Sequence, residues 1–190
     1  MTRLFQALSA IHSLTEDFKI ALEKETTHLS LPKCYMLLEA PKIAEHAYFI
    51  NSGFAMSYTF IKGKKQVESL WTPGEIIVSA RSFFERIPSV EYIQLMEQSD
   101  VLHISYASVL RLFDSFEEAN IIYRMVMNQY YENSRDRIRD MQHLNAAERY
   151  QKLQISFPHI EQIIQQEYIA SYLGIAPQSL SRLKRQYANT

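Results

Sequence analysis

The chain has four glycines in 190 residues, and their placement divides it. Three lie between positions 53 and 74, in Asn51-Ser52-Gly53, Lys62-Gly63-Lys64 and Thr72-Pro73-Gly74-Glu75; the fourth, Gly174, stands alone near the end. Turn signals of the first kind punctuate extended structure. The runs around them, residues 35–38, 47–50, 54–61, 66–71, 76–78, 90–96 and 101–104, are short and rich in β-branched and aromatic side chains, so they read as strands. The runs flanking Gly63 read as a hairpin. Strands in series with no intervening helical pattern predict an antiparallel roll or barrel.

On both sides of this region the period is helical. Leu4, Leu8, Ile11, Leu14, Phe18 and Leu22 recur with polar spacers through residues 1–30, and Thr15 can cap a second short helix there. After Ser105 come a short helix over 107–113 and a run over 115–143 with neither Gly nor Pro. Ser115 reads as its cap, with Glu117 and Glu118 in the first turn. Such a helix spans about 40 Å at 1.5 Å per residue. It must cover its apolar stripe, and the cheapest cover is a second copy of itself. Ile122, Met125, Val126 and Tyr130 are the candidate dimerisation residues. The alternative is a helix packed along its own roll. The charged stretch 132–140 mixes acids and bases and reads as a solvated face. Asn145 with Glu148 forms a capping-box pattern for a helix that Phe157-Pro158 should stop.

Gly174 then sits between two short helical patterns. Ile169 and Leu173 precede it and Leu180 and Leu183 follow it, all at helical spacing. Gly174 can take the positive φ that ends the first helix sharply, Pro177 suits the first turn of the second, and Ala170 is small enough for a close crossing. This is a helix-turn-helix pattern. Gln178, Ser179, Ser181, Arg182, Lys184 and Arg185 on the second helix are polar or basic with no acid among them. Gln and Arg can read base edges, while Lys and Ser can hold phosphates. The bland alternative is a solvated cationic helix closing a small bundle. The net charge is −1 overall, yet residues 177–190 carry three cations and no acid. A local basic end on a neutral chain fits double-stranded DNA as the partner of one element.

The remaining composition mainly excludes. A hydrophobic content of 47% supports a packed core. Cys34 is the one cysteine, which rules out an intramolecular disulfide, a thiolate zinc finger and a cysteine-ligated iron–sulfur cluster within one chain. With no recognisable signal peptide it points to the cytoplasm, and Cys34 itself is expected in the core. No run reaches the ~18 apolar residues of a membrane span. His12, His28, His46, His103, His143 and His159 form no local pair, so no metal is expected, and no nucleophile elbow, phosphate-cradling loop or His-Glu-x-x-His occurs. Neither catalysis nor a cofactor is expected.

The order of these parts resembles the cyclic-AMP receptor/fumarate-nitrate regulator (Crp/Fnr) family, from about Leu31 onward. The similarity is most specific over Ile169-Ala170-Ser171-Tyr172-Leu173-Gly174-Ile175-Ala176-Pro177-Gln178-Ser179-Leu180-Ser181-Arg182, and looser at Tyr48-Phe49-Ile50-Asn51-Ser52-Gly53 and Pro73-Gly74-Glu75. The resemblance implies an α+β chain: an antiparallel, cyclic-nucleotide-binding-like β-roll with N-terminal helices over 1–114, a dimerisation helix over 115–143 and a helix-turn-helix domain over 144–190. It implies a homodimeric, sequence-specific transcription regulator, with RNA polymerase as a further partner. By position, Gln178 and Arg182 match base-reading sites and Ser179 a phosphate contact; Pro177 stands where well-known members carry a base-reading Arg, so the operator should differ.

Departures from the family concern the effector. Cyclic-nucleotide binders follow the turn with Gly-Glu-Leu and later place Arg-Ser or Arg-Thr against the phosphate. Here Gly74-Glu75 is followed by Ile76-Ile77-Val78-Ser79-Ala80, and the later stretch reads Pro88-Ser89-Val90-Glu91. A phosphate without a guanidinium and beside a carboxylate is poorly held, so no response to cyclic AMP is expected. Gly74, Glu75, Arg81 and Tyr92 remain the candidate effector pocket, with Arg86 near it in sequence. Tyr48, Tyr58, Trp71 and Tyr92 could line such a pocket or be plain core. The cysteines of redox-sensing members are absent. The link into the helix-turn-helix looks short and apolar for a two-stranded wing. The competing function is a ligand-sensing or protein-interaction roll whose C-terminal helices bind no DNA.

Overall fold

A computed structural model describes residues 1–188, with side chains through Gln186. Asn189 and Thr190, which close the basic segment, lie outside the described residues. Helices α1 (Thr2–Ile11) and α2 (Glu16–Glu25) lead into strands β1 (Thr26–Leu31), β2 (Met36–Leu38), β3 (His46–Ser52), β4 (Ala55–Ile61), β5 (Lys64–Trp71) and β6 (Ile76–Ile77). Helix α3 (Ala80–Glu85), strands β7 (Tyr92–Leu95) and β8 (Ser99–Ser105) and helix α4 (Tyr106–Ser115) follow. Then come the long α5 (Glu117–His143), α6 (Ala146–Ser156), α7 (Ile160–Ile163), α8 (Gln166–Leu173) and α9 (Pro177–Ala188). The α+β class with antiparallel sheets and a helical C-terminal part agrees with the sequence reading.

Two four-stranded sheets form, in the orders β1-β8-β3-β6 and β2-β7-β4-β5. The β3–β8 pairing sets the first. It places Phe49 opposite Leu102 and Ile50 opposite Val101. Successive side chains point to opposite faces, and all four residues are buried, so this sheet is covered on both sides. Phe49 and Leu102 meet Leu4 and Leu8 of α1, Phe18 and Leu22 of α2, Leu112 of α4, and Ala119 and Ile122 of α5 in one cluster. The amphipathic spacing of the first two helices is thereby explained.

Four local expectations change. Residues 26–31 are strand β1, not helix. Thr26 can leave the helical path because its hydroxyl takes the Leu22 carbonyl (2.6 Å) and the strand then pairs with β8 from Thr26↔Ile104 to Leu31↔Ser99. Helix α3 interrupts the strands where none was expected. Ser115 ends α4 rather than capping the long helix; Phe116 breaks the two, and the Asn120 amide donates to the carbonyls of Phe113 (2.8 Å) and Phe116 (3.3 Å) across the break. Cys34 is exposed in a turn at φ 68, not core. Thr15 does cap α2, accepting from the Phe18 amide at 3.3 Å, and the Asn145–Glu148 capping box is present.

The chain divides into two compact units, one of residues 1–57 and 70–129, the other of residues 58–69 and 130 onward. The division falls inside α5 and inside the β4–β5 hairpin.

Gly53 shows how tight the first unit is. Its φ is +107, and a Cβ there would collide with the Ser99 side chain and backbone. Gly53→Ala should cost about 3 kcal/mol, strain and overlap together. At Gly63, where φ is +74 and nothing lies within 4 Å, alanine should cost only about 1 kcal/mol. Urea midpoints of the two variants check this; equal losses would refute it.

Candidate nucleic-acid interface

The second unit is built around the turn at Gly174. Its φ is 67, and two hydrogen bonds close the end of α8: Ile175 N–H to the Ala170 carbonyl and Gly174 N–H to the Ser171 carbonyl, both 3.0 Å. This paired closure satisfies carbonyls a helix end otherwise strands. Arg149 adds to it, donating from Nε to the Leu173 carbonyl (3.1 Å) and from Nη1 to the Leu144 carbonyl (2.5 Å). Ile169, Ala170, Leu173 and Leu180 are buried with Tyr150, Leu153, Ile160 and Ile164. Pro177 begins α9, where its missing N–H costs nothing.

Ser171 and Tyr172 fix α8 to the hairpin residues of the same unit. The Ser171 hydroxyl accepts from the Val67 amide (2.9 Å) and donates to the Lys65 carbonyl (3.1 Å), and Gln66 donates to the Ser171 carbonyl (2.9 Å). Arg137 of α5 donates to the Tyr172 carbonyl (2.9 Å) and lies 4.0 Å from that ring's centre. Sequence reasoning missed both roles. Ser171 stood in the motif, but its partners are more than a hundred residues away.

Of the six residues read as the contact face of α9, four are exposed and two are engaged within the unit. Gln178, Ser179, Arg182 and Arg185 are exposed, and the two arginines enter no ion pair with a described residue. Ser181 turns its hydroxyl back to the Pro177 carbonyl at 3.2 Å. Lys184 is not free. It lies one helical turn beyond the fully buried Leu180, hence on the inner side, and its ammonium is 2.5 Å from Glu161 of α7. The absence of acids within α9 hid this, because the acid comes from another element. Among the described residues no strand follows Leu144; α7 occupies the link where a wing was in question.

The residues read as an effector pocket each have local partners. Gly74 donates to the Ile50 carbonyl (2.8 Å), and the Glu75 carboxylate accepts from the Thr72 amide (2.6 Å) and hydroxyl (2.9 Å), holding its own turn. Arg81 is exposed and pairs with Glu85 at 3.3 Å. Tyr92 is half-buried on β7. Arg86 donates to the Ala44 carbonyl (2.8 Å) and to Glu45 (2.5 Å), and stacks 4.4 Å from the centre of the Tyr106 ring. Arg86 is thus held on three sides, whereas Arg81 makes only an exposed surface pair.

Neither of two cavities in the first unit is lined by Gly74, Glu75, Arg81 or Tyr92. One, of about 240 Å³, is bordered by Glu39, Lys42, Glu45, His46, Tyr48 and Ser79. Its lysine is already 2.7 Å from Glu39. The other is apolar. His46 and His103, unrelated in sequence, come within 4.7 Å between ring centres because β3 pairs with β8. Burial and then the neighbouring His46 hold His103 below the ordinary histidine range, while burial pushes the Tyr48 phenol up to about 12. Among the described residues no group of three metal-ligating side chains forms, and no helix is long and apolar enough to cross a membrane.

The expected dimerisation residues divide as well. Ile122 is buried in the first unit's own core, and Val126, partly buried, packs against that core. Met125 is exposed and Tyr130 half-buried.

No family model matches the sequence, and no curated protein sequence matches it. Solved structures do. The catabolite activator protein of Thermus thermophilus matches at 15% identity over 96% of this chain and 87% of its own, with a TM-score of 0.59. The c-di-GMP responsive global regulator CLP of Xanthomonas campestris matches at 13% over 92% and 93%, with a TM-score of 0.70. A transcriptional regulator of the Crp/Fnr family from Eubacterium rectale matches at 14% over 92% and 84%, with a TM-score of 0.74. At these identities the likeness is one of fold. The fold is that of the Crp/Fnr regulators: a cyclic-nucleotide-binding-type roll, a long helix and a terminal helix-turn-helix.

Glu161 gives a pH signature for the second unit. Burial raises its pKa, but the Lys184 hydrogen bond, the Tyr150 hydroxyl (2.5 Å) and the Lys184 charge outweigh this and set it below the ordinary carboxylate range. A carboxyl lowered by folding contributes stability that is present above its unfolded value, near 4.5, and lost as pH falls through the folded one. The thermal stability gap between wild type and Glu161→Gln should therefore be largest at neutral pH and close as the pH drops from about 5 to 3. A gap that widens on acidification would contradict the assignment.

Proposed function

We propose that the chain is a sequence-specific DNA-binding transcription regulator of the Crp/Fnr type, acting as a homodimer without catalysing a reaction. The observation that carries this is the two-sided α9: Leu180 fully buried beneath, Gln178, Arg182 and Arg185 exposed above. A helix so held presents a cationic, base-reading face fixed by its own hydrophobic seat. Gln178 and Arg182 read base edges. Ser179 and Arg185 contact phosphates. Lys184 positions α9 through Glu161, and Ser181 is a rim contact at most.

Two recognition helices must meet one duplex about 34 Å apart, so the reading needs a dimer. The outward stripe of α5 supports one. Tyr131, Ile138 and Met141 are exposed and follow one another at seven and three residues, the spacing of a coiled-coil seam. This seam replaces Ile122 and Val126 as the pairing surface.

The regulator does not respond to cyclic AMP. Both arginines near the roll's turn are committed to Glu45 and Glu85, and Lys42 is committed to Glu39. RNA polymerase is a partner this type of regulator can use.

Sequences selected from random DNA supply the operator for the test. Arg182→Ala should then lose about 1–3 kcal/mol at one base position and relax the preference there. Arg185→Ala should weaken all sequences alike and reduce the salt slope by about 0.9. No salt-dependent binding to any duplex would leave the protein-interaction roll as the function.

Ile138→Glu places a charge in the seam. It should convert the dimer to monomer by sedimentation equilibrium and abolish operator binding while leaving the unfolding midpoint within about 0.5 kcal/mol of wild type. A variant that stays dimeric would remove α5 as the pairing element.

A further inference from the structure

The apolar cavity of the first unit measures about 150 Å³ and opens between the helices and the β1-β8-β3-β6 sheet. Leu8, Leu22, Phe49, Leu112, Ala119 and Ile122, from five different elements, line it, and each is a buried core residue. Packed interiors leave few voids larger than a water, whose share of the liquid is about 30 Å³. An apolar cleft several times that size, partly open to solvent, leaves the side chains along its walls without dispersion partners.

Water is a poor occupant. The polar side chains along the lining are Thr26, Tyr48, His103 and Tyr123. Thr26 already donates to the Leu22 carbonyl (2.6 Å), and the Tyr48 hydroxyl is directed to the Leu37 carbonyl (3.4 Å). A water needs two to four polar partners, and a cluster needs more. Ionic ligands are poor occupants too. No Lys, Arg, Asp or Glu lines the cavity, so a charge entering it would lose its hydration without a counter-charge. That excludes a cyclic nucleotide and a carboxylate alike.

What the walls suit is a flat apolar ring. Tyr123 sits 4.8 Å from Phe84 and 5.3 Å from Phe113 between ring centres, tilted to both. Such aromatic walls offer edges and faces to a further ring. An apolar cavity of about this size lined by Leu, Ile and Phe stays dry and accepts benzene.

We propose that this cavity is a binding site for a small uncharged aromatic molecule, from alkylbenzene to indole in size. It adjoins the polar cavity near Lys42, with Tyr48 and Val78 in the shared wall, and is not lined by Gly74, Glu75, Arg81 or Tyr92. The bound ring lies against Ile122, Val126 and Met127, so its occupancy bears directly on the long helix α5. The inference does not rest on DNA binding, and its test uses none.

Thermal melting and titration calorimetry of the full chain with toluene, indole, benzoate and cyclic AMP provide the test. Toluene and indole should raise the melting temperature in a concentration-dependent way, and benzoate and cyclic AMP should not. Ala119→Leu fills the cavity; it should weaken toluene binding by more than about tenfold without lowering the melting temperature of the free protein. Leu112→Ala enlarges the cavity and should shift the preference from toluene towards butylbenzene, which keeps the test open if the filled variant does not fold. No response to either neutral aromatic, a benzoate response equal to that of toluene, toluene binding that survives Ala119→Leu, or an unchanged preference in Leu112→Ala would each overturn the proposal.

Discussion

The pairing of β3 with β8 is the constraint on which the first unit depends. Phe49 opposite Leu102 and Ile50 opposite Val101 put two buried pairs on opposite faces of one ladder. Burying each such side chain is worth about 1.5–3 kcal/mol. A slip of one residue would exchange the faces, presenting Ile50 to α1 and α2 and removing Phe49 from their cluster. The register is further fixed from outside the pair. Ser99, at the start of β8, sits where a Cβ on Gly53 would be, so only glycine lets the two segments approach. The same pairing brings His46 beside His103 and shapes the wall of the apolar cavity. Core, cavity and histidine pair are consequences of one alignment.

In the second unit the corresponding constraint is the closure of α8. The bonds from Ile175 and Gly174 end the helix within one residue, and the Arg149 guanidinium ties that end to the end of α5. The turn fixes the direction of α9, Leu180 fixes its rotation, and the Lys184–Glu161 pair fixes its inner edge. With rotation and edge fixed, Gln178, Arg182 and Arg185 have no alternative but the outer face. The proposed base-reading role would need this kind of rigidity, because bidentate geometry is blurred by a loosely seated helix.

Features of the chain were legible in sequence where they are local. The cap at Thr15, the capping box at Asn145 and Glu148, the turn at Gly174 and the hairpin around Gly63 each declare themselves within a few residues, and the structure has them. The fold class followed from their order. What was not legible depends on distant partners. Thr26–Leu31 carries helix-compatible spacing on its own and becomes a strand because β8 offers it a ladder. Arg86 looked free until Glu45 and Tyr106 came to it, and Lys184 until Glu161 did. The one signal that could have exposed Lys184 was its spacing of four from Leu180, which puts it on the seat of the helix rather than its face. The local partners of the residues near Gly74 were equally invisible: Arg81 pairs with Glu85, and the Glu75 carboxylate holds Thr72.

The long helix α5 shows most plainly why an apolar list is not yet a surface. Ile122 and Tyr131 are nine residues apart, and at about 100° per residue they stand on opposite sides of the helix. The apolar residues therefore form two stripes. The first, with Ile122 and Val126, closes the core and the cavity of its own subunit. The second, with Tyr131 and Ile138, is exposed. A sequence reading that sums both into one stripe assigns them one partner and misplaces half of them. Two stripes on opposite sides need two different covers, and the first already has one in its own unit.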